Sequence, residues 1–266
     1  MTVAPLASSA PFVIREQDQR GVTTLILNRP ASFNALSVAM LESLQAELDE
    51  VAAEADTRVV VIAASGKAFS AGHDLKEMRA EPSQAYYEAL FAKCSRMMLT
   101  IQQLPVPVIA KVQGIATAAG CQLVAACDLA VAASDARFAV SGINFGLFCS
   151  TPSVPLVRNV LRKHAFEMLV TGDFISAEEA KSKGLVNRVA APDGLDAAVE
   201  ALVASIVAKP RVAIEIGKRL FYRQLELGID AAYDDAGKTM AGNMMNAVAL
   251  EGVQAFIDKR KPGWAA

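Results

Sequence analysis

The stretches AFSAGHDLKEM (residues 68–78) and GIATAAG (residues 114–120) are built alike, mainly from small residues placed just after a predicted strand. The two strands are the apolar, β-branched runs 58–62 and 106–112, a composition typical of a sheet covered on both faces. Small side chains let a ligand approach the backbone, and N–H groups at a helix start carry positive partial charge. We therefore expect either tight strand-to-helix turns or, where the loops face each other, two N–H donors for an oxyanion.

The flanking sequence predicts an α/β order. Val22–Leu27 reads as a strand that ends at Asn28-Arg29-Pro30, and Ser37 as the N-cap of a helix. The apolar residues of that helix recur at 3, 4, 3 spacing, one face of a helical period: Leu41, Leu44, Leu48 and Val51. Loops are expected at 63–72 and 114–120, a helix at 121–127 and a strand at 128–132. This order predicts an α/β core with buried strands.

The C-terminal part reads as helical. Ser176 and Glu179 have the spacing of a capping box, and Gly184 stands where a helix C′ residue would. Apolar residues then repeat at 4, 3, 4 spacing from Leu195, and no strand pattern follows Pro210. We therefore divide the chain into an α/β core over residues 1–195 and a helical region over residues 196–266.

Composition excludes several classes of protein. The 266 residues are 53% apolar and 20% charged with a net charge of −2, which argues against disorder and against an electrostatic grip on nucleic acid or a membrane surface. The uncharged run 138–157 contains too many polar residues and prolines for a membrane span, so we expect it to be buried protein. Residues 1–14 lack the features of a signal or transit peptide and are expected to be frayed.

The scarce residues and missing motifs narrow the chemistry. Two histidines and four cysteines form no zinc pattern, so we expect no metal site and four reduced, mostly buried thiols in the cytoplasm or another reducing compartment. No phosphate-binding GxxxxGK[ST] or GxGxxG motif is found, and no GxSxG elbow of a serine hydrolase. RNA binding is disfavoured because basic residues and aromatics do not interleave.

Several segments together resemble the crotonase superfamily, the enoyl-CoA hydratase/isomerase family. They follow the order of that family over nearly the whole chain: LNRP, NALS, FSAGHDLKEM, QGIATAAGCQLVAACDLAVA, TGDFISAEEAKSKGLVNRV and FIDKRKPGW. The resemblance implies an α/β fold, the crotonase (ClpP-like) spiral of ββα units with a helical C-terminal trimerisation region. It also implies a homotrimer or a dimer of trimers.

The resemblance assigns roles to both small-residue loops. It implies that the backbone N–H groups of His73 and Ala119 form an oxyanion hole for the thioester carbonyl, and Ala119, at a glycine of the family motif, would narrow the dihedral freedom of the turn. The His73 side chain would lie beside a phosphate at the pocket entrance, or else be a packed or solvated imidazole; Lys76 would meet a coenzyme phosphate, or else be an ordinary exposed lysine. The residues implied to contact coenzyme A are Ser32, Phe33, Ala71, His73, Asp74, Leu75, Lys76 and Ala119.

The match breaks at the two glutamates that hydratases of this family use for water. Their positions are taken by Gln122, which cannot accept a proton at neutral pH, and by Gly142, which has no side chain. The run 142–152 is expected to line the acyl pocket and to supply polar side chains from Asn144, Cys149 and Ser150. Cys149 is expected to be either a reactive or, without a nearby base, an inert thiol.

These features resemble a subgroup of enoyl-CoA hydratase domain-containing proteins that lacks both glutamates. We expect an acyl-CoA enzyme of the hydratase/isomerase type, a lyase or isomerase in fatty-acid or related metabolism, whose hydratase activity is in doubt. The alternative is a non-catalytic acyl-CoA-binding or regulatory protein. No cofactor is expected beyond the coenzyme A moiety of the substrate, and the compartment would be the cytoplasm in a bacterium or the mitochondrion in a eukaryote.

Overall fold

Ten strands and eleven α-helices follow one another in this computed structural model, which describes residues 10–80 and 82–265. The strands are β1 (Val13–Gln17), β2 (Val22–Leu27), β3 (Val59–Ala64), β4 (Ala68–Ser70), β5 (Val108–Val112), β6 (Ile115–Thr117), β7 (Leu129–Ala133), β8 (Arg137–Ala139), β9 (Ile175–Ser176) and β10 (Arg188–Ala190). The helices are α1 (Val38–Ala53), α2 (Leu75–Ala80), α3 (Gln84–Gln103), α4 (Ala119–Ala126), α5 (Ser150–Asn159), α6 (Arg162–Thr171), α7 (Ala177–Ser182), α8 (Leu195–Val207), α9 (Arg211–Gln224), α10 (Ile229–Met244) and α11 (Ala247–Ile257).

From β3 to β8, successive strands alternate between two sheets. The larger sheet has the order β1-β2-β3-β5-β7-β10, and the smaller has the order β4-β6-β8-β9. The pairs β3–β4, β5–β6 and β7–β8 each give their first strand to the larger sheet and their second to the smaller, and helices then return the chain. Neighbouring strands from these pairs run parallel. The predicted spiral of ββα units is thereby confirmed.

Both predicted small-residue loops contain a strand that the sequence analysis missed. β4 lies inside the segment expected to be a loop at 63–72, and β6 lies inside the one at 114–120. The two are parallel partners, each of three residues, too short for a periodic pattern to indicate them. Helix α4 also begins at Ala119 rather than at residue 121, because the chain turns into the helix directly after β6. The predicted loop-to-helix transitions are therefore tighter than expected.

The predicted helix starts are confirmed where a capping side chain was identified. The Ser37 Oγ accepts a hydrogen bond from Met40 N at 3.2 Å, and α1 buries its predicted apolar face. A second cap comes from Glu77, whose Oε2 accepts from Val38 N at 3.0 Å and so ties α2 to the start of α1. The capping box of Ser176 and Glu179 is also present at the start of α7.

Both faces of the larger sheet are covered, as the apolar strands predicted. In β3, Val60 and Ile62 face the main core, whereas Val59 and Val61 face a second cluster that includes α8. Described residues after 207 form only helices, which agrees with the helical C-terminal pattern. The boundary placed at residue 195 stays a prediction, and α8, just beyond it, packs on the sheet.

A buried polar cluster, which we call the anchor cluster, attaches α9 to the core. It consists of Asp128, Lys218 and Tyr222. Asp128 accepts from Lys218 Nζ at 2.6 Å, from the Tyr222 hydroxyl at 2.7 Å and from Val108 N at 2.7 Å. Burial lowers the pKa of Lys218, and the neighbouring carboxylate opposes that change. The helical region is thus connected to the sheet through paired charges.

The uncharged run at residues 138–157 is only partly buried, so the expectation that it is buried protein is wrong in its middle. Phe145 is 73% exposed, and Leu147 and Phe148 are exposed as well. The reason is that a 3₁₀ turn, Ser141–Phe145, lifts this part of the chain away from the core before α5 starts. Among the helices of the described residues, none has the length and apolar character needed to cross a membrane.

The four cysteines are free and buried, which confirms the expectation of buried thiols. Within residues 10–80 and 82–265, His, Cys, Asp and Glu form no group that could hold a metal ion. The prediction of a frayed N-terminal stretch falls mainly on residues 1–9, which lie outside the described residues, and it is wrong at Val13 and Ile14, which pair with β2 as part of β1.

Candidate functional site

The two small-residue segments meet at the glycines they contain. Gly72 has a φ of +88°, and a Cβ added there would lie 2.9 Å from Ala118 Cβ and 3.1 Å from Ala119 N. A Cβ added at Gly120 would lie 2.2 Å from Ser70 O. Contacts this short require glycine at both positions, since a side chain would force the two backbones apart. The strand-to-helix turns and the facing loops, open alternatives from the sequence, are thus both present.

Two main-chain donors lie at this meeting point. Ala119 is the first residue of α4, so its N–H has no partner within the helix, and His73 follows Gly72 directly. Within the described part of the chain, neither N–H donates a hydrogen bond to another residue. Neighbouring groups are paired: Gly72 O accepts from Leu36 N at 2.7 Å, and Ala118 N donates to Ala139 O at 3.0 Å. The scaffold is therefore fixed while these two donors are left free.

The backbone restriction expected at Ala119 falls on Ala118 instead. Ala118 has a φ of 49° and a ψ of −120°, a conformation that favours glycine, whereas Ala119 has no positive φ and is already helical. A β-carbon is thus held in a strained position directly before the Ala119 donor, a strain of the order of 1–3 kcal/mol. Ala118 is also one of the residues that line the cavity described next.

A cavity of about 260 Å³ opens in front of the two donors. None of its lining residues within the described chain is an Asp, Glu, Lys or Arg, and the lining is mostly apolar. It comprises Ala71, His73, Leu75, Met78, Phe91, Ala118, Ala119, Ser141, Gly142, Phe145, Leu147, Phe148, Cys149, Ser150, Thr151 and Pro152. The expected contribution of the run 142–152 to an apolar pocket is visible here, although Asn144 does not line it.

The ring of His73 is packed into the cavity wall. Its Nδ1 lies 3.2 Å from Leu36 O, and its ring meets the ring of Phe91 edge-on at a centroid distance of 5.5 Å. Its Nε2 is buried and has no hydrogen-bond partner among the described residues. Burial lowers the pKa of this imidazole, so the ring is neutral at neutral pH. The ring is thus packed in the cavity wall, and its contact with a coenzyme phosphate stays a prediction.

Neither position of the missing glutamates supplies a carboxylate to the cavity. Gly142 is buried, and a Cβ added there would lie 2.5 Å from Leu147 O and 2.7 Å from Cys149 Sγ, so the space for a carboxylate side chain is filled. Gln122 is buried on α4 outside the cavity lining, and its Oε1 has no hydrogen-bond partner in the described chain. No carboxylate thus reaches the cavity from either position.

The other polar side chains predicted for the pocket have different surroundings. Cys149 Sγ accepts a hydrogen bond from Gly142 N at 3.3 Å, and burial raises the pKa of the thiol, which keeps it protonated. Asn144 points away and donates to Gly172 O at 3.4 Å. Ser150 is exposed at the start of α5, where its Oγ donates to Phe148 O at 3.3 Å. The inert reading of Cys149 fits this protonated thiol.

The residues expected to contact coenzyme A lie around the cavity mouth. Ala71 N donates to Phe33 O at 3.0 Å, which joins the turn holding Ser32 and Phe33 to the first small-residue segment. Asp74 caps α2 through Lys76 N at 2.9 Å and Glu77 N at 3.2 Å. Leu75 lines the cavity although it is half exposed, and Lys76 is exposed.

Sequence reasoning missed three contributors to the cavity. Phe91 comes from α3 and Met78 from α2, and both are apolar residues whose helices alone do not indicate a ligand. The third is Ser141, whose Oγ lies 2.8 Å from Thr117 Oγ1. The sequence signal that could have indicated Ser141 is its place next to Gly142, which stands at the position of the family's second glutamate.

The spiral of ββα units and the paired small-residue loops define the class of protein. The sequence model of the enoyl-CoA hydratase/isomerase family matches residues 17–266. The chain belongs to this family, the crotonase superfamily.

The relatives support the subgroup that the sequence resembles. The crystal structure of an enoyl-CoA hydratase of Mycobacterium smegmatis is similar at a TM-score of 0.95 and 66% identity, covering 96% of this chain and 100% of that one. The human "Enoyl-CoA hydratase domain-containing protein 3, mitochondrial" is 44% identical over 96% of this chain and 84% of its own length. The Escherichia coli "2,3-dehydroadipyl-CoA hydratase" is 31% identical over 92% of this chain and 95% of its own.

Proposed function

We propose that this chain acts on acyl-CoA thioesters and polarises the thioester carbonyl through the N–H groups of His73 and Ala119. The observation that carries this proposal is the pair of unpaired main-chain donors where Gly72 approaches Ala119, at the floor of an uncharged cavity. Two preorganised donors in an apolar site stabilise the negative charge that develops on an enolate oxygen. The coenzyme would lie along Ser32, Phe33, Ala71, Asp74, Leu75 and Lys76, with no further cofactor required.

Among the reactions of this type, proton transfer at the carbon next to the carbonyl suits the site better than hydration. Addition of water needs one group that activates the water and one that protonates Cα. Neither Gln122 nor Gly142 supplies a carboxylate for these tasks. An isomerisation moves one proton within the substrate, so a single base and an oxyanion hole suffice. Among the described residues the lining contains no Asp, Glu, Lys or Arg, which favours an uncharged aliphatic acyl group, as in fatty-acid or related acyl-CoA metabolism.

Two assays test this proposal together. Calorimetry with saturated acyl-CoAs measures binding, and the conversion of a 3-enoyl-CoA into the conjugated 2-enoyl-CoA is followed by ultraviolet absorbance. We expect binding and isomerisation, with hydration of crotonyl-CoA far slower than isomerisation. Absence of binding to every acyl-CoA would overturn the proposal. Faster hydration than isomerisation would overturn the choice of reaction.

A second candidate is a non-catalytic acyl-CoA-binding or regulatory protein. The specific observation in its favour is that both carboxylate positions are lost while the scaffold and the free donors are kept. The same two assays separate the candidates, because binding without any turnover supports this one.

Self-association into a homotrimer or a dimer of trimers forms part of the proposal. Helices α9 to α11 and the turns after them leave many large apolar side chains exposed, as expected of a surface that binds another protein chain. They include Phe221, Leu225, Ile229, Tyr233, Met240, Met245, Phe256 and Ile257. Light scattering should therefore give three or six times the chain mass of 28.1 kDa.

A further inference from the structure

His73 stands apart from the other cavity residues by its ability to take up a proton. Among the lining side chains of the described chain, only His73 and Cys149 titrate in an accessible range, and the Cys149 thiol is held protonated by burial. The hydroxyls of Ser141, Ser150 and Thr151 are not bases at neutral pH. A proton-transfer reaction in this cavity therefore needs His73 or a group from outside.

The contacts of the ring decide which nitrogen is free. Nδ1 lies 3.2 Å from the carbonyl oxygen of Leu36, which can only accept a hydrogen bond, so Nδ1 carries the proton and donates. Nε2 is then the nitrogen with the lone pair. The ring stands edge-on to Phe91, and this nitrogen is buried without a partner among the described residues. Most buried polar atoms have a hydrogen-bond partner, and His73 is the cavity-lining residue among the described ones whose side chain carries a buried polar atom without a partner.

The charged groups on the neighbouring elements are engaged elsewhere. On α2, the Asp74 carboxylate caps the N–H groups of Lys76 and Glu77, and Glu77 accepts from Val38 N at the start of α1. Lys76 is exposed, and the ring contact from α3 is the uncharged Phe91. Burial is accordingly the main influence on the pKa of His73, and it keeps Nε2 unprotonated at neutral pH.

We propose that His73 is a catalytic base and acid of this site, with Nε2 shuttling the proton of the isomerisation proposed above. Nε2 takes a proton from Cα of a 3-enoyl thioester, and the C–H electron pair forms the Cα=C1 bond of a dienolate. The carbonyl π pair moves to the oxygen, which the N–H groups of His73 and Ala119 hold. The dienolate then collapses, C=O re-forms, the double bond moves to Cα=Cβ, and the imidazolium returns its proton to Cγ.

This arrangement gives one residue both parts of the chemistry. The main-chain N–H of His73 would bind the oxygen while its side chain accepts and returns the proton. Because both groups belong to one residue, the same stretch of backbone positions the ring and the oxyanion donor. The bond from Nδ1 to Leu36 O holds the ring in one orientation during the transfer. The sequence indicates the donor role of this residue but no proton-transfer role for its ring.

The test compares His73→Gln with wild type in the 3-enoyl-CoA assay. Glutamine keeps the backbone N–H and a polar side chain but cannot take a proton at neutral pH. We expect kcat to fall about 100-fold or more, as for loss of a general base, with unchanged affinity for a saturated acyl-CoA. The matched control is His164→Gln, the other histidine of the chain, half-buried on α6 near Lys183, which should leave kcat unchanged.

A second readout needs no variant. The kcat of the wild type should decrease as pH falls through the pKa of His73, which lies below its ordinary value, because the protonated ring cannot accept the Cα proton. If His73 were only structural, kcat would not decrease at low pH through this pKa.

Three outcomes of these assays distinguish the role of His73 from the proposed acyl-CoA function. No acyl-CoA binding by the wild type overturns both. Binding without isomerisation overturns the role of His73 and favours the binding protein. Isomerisation by His73→Gln within about tenfold of wild type, below the usual contribution of a general base, overturns the role of His73 alone.

Discussion

The anchor cluster and the cavity both bury polar side chains, but they treat them in opposite ways. In the anchor cluster, Lys218 Nζ donates to Asp128 and to two backbone carbonyls, Ile101 O and Val106 O, both at 2.9 Å. All three of its protons have acceptors. At the cavity, His73 Nε2 is buried without a partner among the described residues.

The two sites differ in whether the fold supplies every hydrogen-bond partner of a buried polar group. A buried group with every partner supplied by the fold stabilises one arrangement and has nothing to offer a ligand. A buried acceptor without a partner costs the folded state about 1–3 kcal/mol, and a ligand or transition state can recover that cost. We therefore expect substitutions in the anchor cluster to lower the free energy of unfolding strongly. Substitutions at the cavity should change it less.

The strongest way to break this comparison is Asp128→Ala in the anchor cluster. The change leaves the Lys218 ammonium buried without its counter-charge and removes the acceptor of Val108 N and of Tyr222. We expect the free energy of unfolding to fall by about 3–5 kcal/mol, measured by urea denaturation. The control is Asp234→Ala, which removes an exposed ion pair with Lys238 and should cost under about 1 kcal/mol. Equal losses in both variants would show that the cluster contributes no more than a surface pair.

Gly142→Ala tests the close packing at the position of the second missing glutamate. The new Cβ would meet Leu147 O and Cys149 Sγ, so we expect a loss of about 1–3 kcal/mol in thermal unfolding. Gly194→Ala serves as the control, since a Cβ there meets nothing within 4 Å. The same contacts imply that Gln122→Glu combined with Gly142→Glu will not restore hydration of crotonyl-CoA. A stable, active double variant would show that the loop opens at little cost.

A structural feature could be predicted from the sequence when residues close together in the chain determine it. The capped helix from Ser37 and the two small-residue loops follow from patterns a few residues long, and the structure has them. The family resemblance, spread over many segments, predicted the spiral that no single pattern indicates. The strands β4 and β6 were missed because three residues carry no period.

The parts that escaped prediction depend on contacts between distant segments. Lys218 lies in a helix with several charged residues, and only the fold shows that it meets Asp128, ninety positions earlier. The unpaired Nε2 of His73 results from the meeting of Leu36, Phe91 and the first small-residue segment. Residue type alone could indicate a histidine near a ligand, but not which nitrogen is free.

Ala118→Gly is the most delicate way to sharpen the comparison, because it tests whether the cavity stores strain. Glycine adopts a φ of 49° without the penalty of a β-carbon, which recovers about 1–3 kcal/mol, while the greater freedom of the unfolded chain takes back about 0.4–1 kcal/mol. We expect a net stabilisation of about 1 kcal/mol in urea denaturation. Ala119→Gly, one residue later and already helical, should instead be destabilising. If Ala118→Gly also destabilises, the methyl contributes packing against Gly72 that outweighs the strain, and the cavity wall is then stabilised by contact rather than held under tension.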